Sequence, residues 1–173
     1  MYQMILVPID GSETSTRGLE EAIRMAQLTK GRLRLFHVID ELSFALSMDA
    51  YAGYAGDWLN TLRDGGTQLL KDAKAKALAA GIDAEVALHD SFNGKVADLV
   101  AAEAVNWPAD LIVLGTHGRR GIGRMFLGSG AESILRTAPV PVLLVRSHEE
   151  AVAAEPAQVT ARVSIPSAAL AIE

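Results

Sequence analysis

Short apolar runs alternate with helical patterns from the first residues to about residue 146, and this alternation constrains the fold more than any other feature. Met4–Ile9 is a continuous apolar run, as expected of a parallel strand covered on both faces. Residues 14–30 then place Leu19, Ala22, Ile23 and Ala26 at the spacing of one helix face, and Gly31 is expected to close that helix. Arg32–Val38 reads as a second strand, with Leu33 and Leu35 alternating with Arg32 and Arg34. Residues 57–80 carry Leu59, Leu62, Leu69, Leu70, Ala73 and Ala77 on a second helix ended by Gly81. Inside it, Gly65-Gly66 marks either a kink or a later helix start. Ile82, Ala84, Val86 and Leu88 alternate with Asp83 and Glu85, so the third strand is half exposed.

A third helix over 94–106 has Val96, Leu99, Val100 and Ala104 on one side and ends at Trp107-Pro108, packed on the core. Leu111–Leu114 is a second wholly apolar strand. Ala131, Ile134, Leu135 and Ala138 repeat the helical spacing, and Val142–Val145 is the last strand. Five strands alternating with four helices imply right-handed βαβ units and an α/β fold. The expected architecture is a doubly wound five-stranded parallel sheet with helices on both faces. The alternating third strand suits an edge while the first and fourth suit the centre, which favours the order 3-2-1-4-5.

Two segments stand outside the alternation. Residues 41–56, with Trp58 just beyond, hold Phe44, Tyr51 and Tyr54, four of the nine aromatics in the chain. A loop of that length covers either its own core edge or a ligand. The tail, 147–173, is rich in Ala, Glu and Pro, with one strand-like piece, Thr160–Ile165. It reads as an appendage to a single domain over 1–146, either flexible or pairing with an exposed strand of a partner.

Composition removes several function classes. Half of the 173 residues are hydrophobic and 21% are charged, which excludes disorder for the bulk of the chain. The net charge of −5 offers no broad basic face, so a nucleic-acid partner held by phosphate contacts is not expected. With no cysteine, thiolate catalysis and cysteine-based metal sites are excluded. The N-terminal apolar run lacks a basic flank and meets Asp10 at once, and no stretch approaches the ~18 apolar residues of a membrane span. A cytoplasmic protein without membrane insertion is the expectation.

The segment richest in chemistry is Gly115-Thr116-His117-Gly118-Arg119-Arg120-Gly121 through Arg124 to Gly128-Ser129-Gly130. It follows a buried strand and precedes a helix. Glycines there let backbone N–H groups approach an anion, and a helix N-terminus adds partial positive charge. Three arginines in the loop make phosphate the natural ligand. Glycine content alone is equally compatible with a surface connection carrying solvated arginines. Ser129 and Glu132 also have the spacing of a capping box. Topology favours the ligand: in the order 3-2-1-4-5 the winding reverses between the first and fourth strands, and ligands sit at such switch points. Asp10 and Gly115 end those two strands.

The spacing Gly115-x2-Gly118-x9-Gly128-Ser129 resembles the nucleotide motif of universal stress proteins of the ATP-binding subclass. The start Ile-Leu-Val-Pro-Ile-Asp-Gly-Ser and the end Ala-Pro-Val-Pro-Val-Leu-Leu-Val are similar to the same family, and the likeness runs over residues 1–146. The resemblance implies a homodimer, a bound ATP, and a regulatory role in the stress response through an unidentified protein partner. It implies phosphate and ribose contacts at Gly115, Gly118, Gly128 and Ser129, with Thr116, His117, Arg119, Arg120, Gly121 and Gly130 beside them. Asp10 would lie near the ribose and a magnesium ion, and Pro8, Ile9 and the Val38 backbone would border the adenine. Gly130 departs from the family, which often has a small apolar residue there.

Other signals are weaker. No Gly-Lys-Ser/Thr triplet exists, which excludes the P-loop mechanism. Asp10-Gly11-Ser12 suits capping of the first helix as well as metal binding. His37, His89, His117 and His148 lack metal-ligand spacing, and His37 suits a satisfied strand histidine. The rival function is a slow ATPase or phosphotransfer enzyme. No carboxylate in the Gly115–Ser129 loop offers a base, so turnover is expected to be weak at most and no catalytic residue is assigned. The last strand, apolar and entered through Pro139 and Pro141, is the expected dimer edge.

Overall fold

The structure, a computed structural model, describes residues 2–39, 57–90, 94–116 and 128–146. Its elements are β1 (Met4–Pro8), α1 (Glu13–Thr29), β2 (Arg32–Ile39), α2 (Asp57–Ala79), β3 (Ala84–Asp90), α3 (Val96–Asn106), β4 (Leu111–Gly115), α4 (Ser129–Thr137) and β5 (Val142–Val145). All strand pairings are parallel and the order is β3-β2-β1-β4-β5, as expected from which runs are continuous and which alternate.

Strands β1 and β4 read as continuous apolar runs because both of their faces are covered. Ile5, Val7, Leu33, Leu35 and Val113 pack under α1 and α2, against Leu19, Ala22, Ile23, Ala26, Leu70, Ala73 and Ala77. Leu6, Phe36, Ile112 and Leu114 turn the other way, under α3 and α4, against Val100, Ala104, Trp107 and Ile134. Successive residues of a strand point to opposite faces, so one run of apolar residues serves two cores. The third strand lies at an edge, where even Val86, one of its apolar positions, is 42% exposed.

Packing changes several local readings. The left-handed residue ending α1 is Lys30 (φ 54°), not Gly31. Gly31 is small for another reason: a Cβ there would lie 2.9 Å from the Gln3 carbonyl oxygen, where the chain enters β2 beside β1. Helix α2 runs unbroken through Gly65-Gly66. A Cβ on Gly66 would meet the His37 ring at 2.8 Å and Leu88 at 2.9 Å, so the glycine marks a close approach rather than a break. The third strand begins at Ala84, because the Ile82 N–H is already spent on the Ala77 carbonyl at the end of α2.

Arg34, on the α3 side of β2, is not simply a solvated alternate. Its Nε donates to Glu103 at 2.7 Å and its guanidinium also reaches Glu85 at 2.7 Å. Glu103 is 6% exposed, so this pairing is what makes a buried carboxylate tolerable there. Arg32 lies 5.6 Å from the Trp107 ring, a cation–π contact that fastens the end of α3 to the start of β2.

Candidate functional site

The carboxyl ends of β1 and β4 are adjacent in the sheet, and the helices that follow them leave on opposite faces. A crevice opens where the winding reverses in this way. Its first wall is the turn after β1. The Ile9 N–H donates to the Phe36 carbonyl at 2.8 Å, carrying the β1–β2 pairing one residue past the end of β1. The ring of His37 meets the Ile9 carbonyl oxygen through Nδ1 at 2.5 Å. Asp10 follows, and its Oδ1 accepts from the Ser12 N–H at 2.9 Å across Gly11, whose φ of 82° is the left-handed conformation such a turn favours in glycine. Ser12 is the N-cap of α1, its hydroxyl accepting from the Ser15 N–H at 3.1 Å. The capping role expected for this triplet is therefore filled by Ser12. The half-buried Asp10 carboxylate is held in place by the turn.

The second wall is the end of β4. A Cβ on Gly115 would lie 2.5 Å from the Thr14 carbonyl carbon and 2.8 Å from the Ser15 nitrogen. The glycine identity here serves the seating of α1 on the sheet, independently of any ligand. Thr116 is 4% exposed. Its N–H donates to the Val145 carbonyl at 2.9 Å, and its carbonyl accepts from the Gly128 N–H at 2.8 Å. Gly128-Ser129 is thus held beside the end of β4.

Helix α4 begins there without a side-chain cap. Its N-cap is Gly128, which has no side chain to offer, and Ser129 is the first helical residue, so the expected capping box does not form. Glu132 turns to Arg136 at 2.8 Å instead, and the Ser129 carbonyl accepts from the Ser133 hydroxyl at 2.8 Å. The N–H groups of Ser129, Gly130 and Ala131 belong to a helix first turn, where no intrahelical acceptor exists. Ser129 and Gly130 are exposed, and no atom of the described residues lies within 4 Å of a Cβ built on Gly130. Uncapped donors and the helix dipole together form an anion-attracting end.

The structure therefore gathers Pro8, Ile9, Asp10, Gly115, Thr116, Gly128, Ser129 and Gly130 at neighbouring strand ends. Val38, half buried on β2, lies one strand further, in register with His89. His117, Gly118, Arg119, Arg120, Gly121 and Arg124 lie outside the described residues, as do 41–56 and the tail 147–173. Among the described residues no group of three or more acidic, histidine or cysteine side chains could hold a metal ion. Among them, too, no helix is long and apolar enough to cross a membrane. The satisfied strand histidine expected at His37 is found, but its partner, the Ile9 carbonyl, and the Thr116 clasp were not foreseen from the sequence. The signal for His37 was a polar residue at the third inward position of β2, after Leu33 and Leu35.

A family model described as the universal stress protein family matches residues 1–146. The universal stress protein YxiE of Bacillus subtilis is 30% identical over 151 residues, covering 84% of this chain and all of that protein. Among solved structures, a member of the family from Burkholderia pseudomallei is 31% identical with a TM-score of 0.67, covering 84% of this chain and 97% of its own. A universal stress protein solved in complex with cAMP is 26% identical with a TM-score of 0.57, again covering 84% of this chain and 97% of its own.

Proposed function

This chain belongs to the universal stress protein family, and we propose that it is an ATP-binding regulatory protein of the cytoplasm, in which nucleotide occupancy of a homodimer alters the surface offered to a protein partner. The observation that carries the reading is the uncapped first turn of α4 at the switch point of the sheet. First-turn donors whose N-cap residue, Gly128, has no side chain to cap them, beside a strand end, suit a phosphate group. A relative of 26% identity that binds cAMP, an adenine nucleotide, supports the same ligand class.

In this reading the triphosphate lies on Gly128, Ser129 and Gly130 and on the preceding loop, where Gly118, Gly121, Arg119, Arg120, Thr116 and His117 contribute. The adenine is bordered by Pro8, Ile9 and the Val38 backbone. Asp10 lies toward the ribose and offers one carboxylate. A magnesium ion is commonly held by one or two carboxylates with substrate phosphates completing its shell, so the Asp10 carboxylate fits magnesium brought in with the nucleotide. Gly115 supports the site from beneath, through the seating of α1.

The dimer is assigned to β5. It is an edge strand, its four residues are apolar, and each is half buried in the single chain. Antiparallel pairing of this edge with its two-fold copy would cover the unpaired backbone groups. The domain comprises 1–146, and the tail 147–173 is an appendage to it.

Calorimetry with ATP and magnesium tests the proposal, alongside mass spectrometry of nucleotide released on denaturation. Wild type is expected to bind ATP, and Gly128→Leu to lose binding while remaining folded. A folded Gly128→Leu variant that binds as wild type does would overturn the phosphate assignment. Binding of cAMP but not ATP would keep the adenine and replace the triphosphate.

A further inference from the structure

Resting on that nucleotide reading, we propose that His37 is a positioning residue of the site, holding the Ile9–Asp10 turn in place and tying it to helix α2. His37 follows Leu33 and Leu35 on the inward face of β2 and is 7% exposed. A backbone carbonyl can only accept, so the contact of Nδ1 with the Ile9 oxygen requires that Nδ1 carry the proton. Ile9 lies beyond β1, yet both of its backbone groups are engaged by β2: its N–H by the Phe36 carbonyl at 2.8 Å, its oxygen by His37. The peptide that presents Asp10 is therefore clamped at its carbonyl by an imidazole from the neighbouring strand.

The ring is in turn held from above. A Cβ on Gly66 of α2 would stand 2.8 Å from His37 Cδ2 and 3.4 Å from Nε2, so only glycine lets the helix close over the ring as it does. No atom of the described residues lies within 4 Å of a Cβ built on the adjacent Gly65, which singles out Gly66 as the residue matched to the imidazole. The position of α2 is thus transmitted through one rigid ring to the carbonyl next to Asp10. A hydrocarbon side chain at position 37 would fill the volume and lose the clamp.

The test uses full-length wild type, His37→Asn, His37→Gln and Gly66→Ala. An asparagine amide nitrogen falls close to where Nδ1 was and can still donate to Ile9; a glutamine amide nitrogen falls near Nε2 and cannot. ATP affinity by calorimetry is expected to stay within about threefold of wild type in His37→Asn, and to fall about tenfold in His37→Gln, the effect of one lost hydrogen bond. Gly66→Ala, which displaces the ring without touching its chemistry, is expected to weaken binding as well, although alanine is the better helix former. Amide hydrogen exchange of the nucleotide-free protein reads the clamp directly. Exchange at Asp10–Ser12 is expected to quicken in His37→Gln and Gly66→Ala and not in His37→Asn. Equal losses in the Asn and Gln variants, tracking their melting temperatures, would reduce His37 to a packing residue and overturn the inference. Were wild type itself not to bind ATP, the nucleotide reading would fall, while the exchange pattern would still decide whether His37 holds the turn.

Discussion

Adding a single methyl group at Gly115 should be among the most damaging small changes available to this protein. In Gly115→Ala the new carbon would lie 2.5 Å from the Thr14 carbonyl carbon, 2.6 Å from its oxygen and 2.8 Å from the Ser15 nitrogen. Carbon atoms rest at about 3.5–4.0 Å from one another, so the overlap with the carbonyl carbon is about 1 Å. All three neighbours are backbone atoms of the first turn of α1, and none can rotate away. Relief requires α1 to lift from β4. Gly18, one turn on, already sits so close that its own Cβ would be 3.3 Å from the Gly115 nitrogen. Lifting the helix would loosen Leu19, Ala22, Ile23 and Ala26 in the core.

Overpacking usually costs about 1–3 kcal/mol, and a clash with immovable backbone belongs at the top of that range, about 3 kcal/mol. For a domain of this size each kcal/mol moves Tm by about 2–4 °C, so a fall of about 6–12 °C is expected. Thermal and guanidinium unfolding should be followed without nucleotide, since a bound ligand would mask the difference by mass action. Gly65→Ala is the control. No atom of the described residues stands within 4 Å of its Cβ, and it should stabilise by about 0.5–1 kcal/mol. A Gly115→Ala variant as stable as wild type would refute the seating of α1. Unchanged stability with lost ATP affinity would move the need for glycine to the ligand.

Three further outcomes follow from the same geometry. Ser12→Ala removes the hydroxyl that caps α1 and should cost about 1 kcal/mol in denaturant titrations, whereas Ser129→Ala removes no cap and should change stability little while weakening ATP binding several-fold. Arg34→Ala strips the 2.7 Å partner from buried Glu103; because the arginine is itself 22% exposed and shared with Glu85, we expect a loss at the low end of the buried-pair range, about 2–3 kcal/mol, and substantial recovery when Glu103→Met is combined with Arg34→Met. Leu143→Lys places a charge in the middle of the β5 edge and should shift light scattering from dimer to monomer, with the melting temperature of the monomer setting how much stability assembly adds.

The architecture was legible in the sequence to the level of strand order. Continuous apolar runs at Met4–Pro8 and Leu111–Leu114 report strands covered on both faces, and the alternation through Val86 reports an edge. Chain order with these two burial classes favours β3-β2-β1-β4-β5, the order found. The meeting of two strand ends was legible too: Asp10 lies two residues past the end of the first strand, Gly115 ends the fourth, and the switch point lies between them. Helix caps were less so. Ser129 with Glu132 has capping-box spacing, yet the helix starts one residue too early for it, because the Thr116 carbonyl fixes the Gly128 N–H first.

What the sequence by itself determined is everything that periodicity encodes, namely which residues of an element face a core and which face water. Periodicity is a property of one element and carries no record of the atoms across from it. Only the tertiary structure decided that Gly115 is small for Thr14, Gly31 for Gln3 and Gly66 for His37, since each depends on the approach of a segment far along the chain. The same holds for His37 and Arg34. Both are polar residues in an apolar strand, and their partners, the Ile9 carbonyl and the Glu103 carboxylate, lie 28 and 69 residues away. A buried polar group is tolerated only when its partner is met in space, and the meeting is made by the fold.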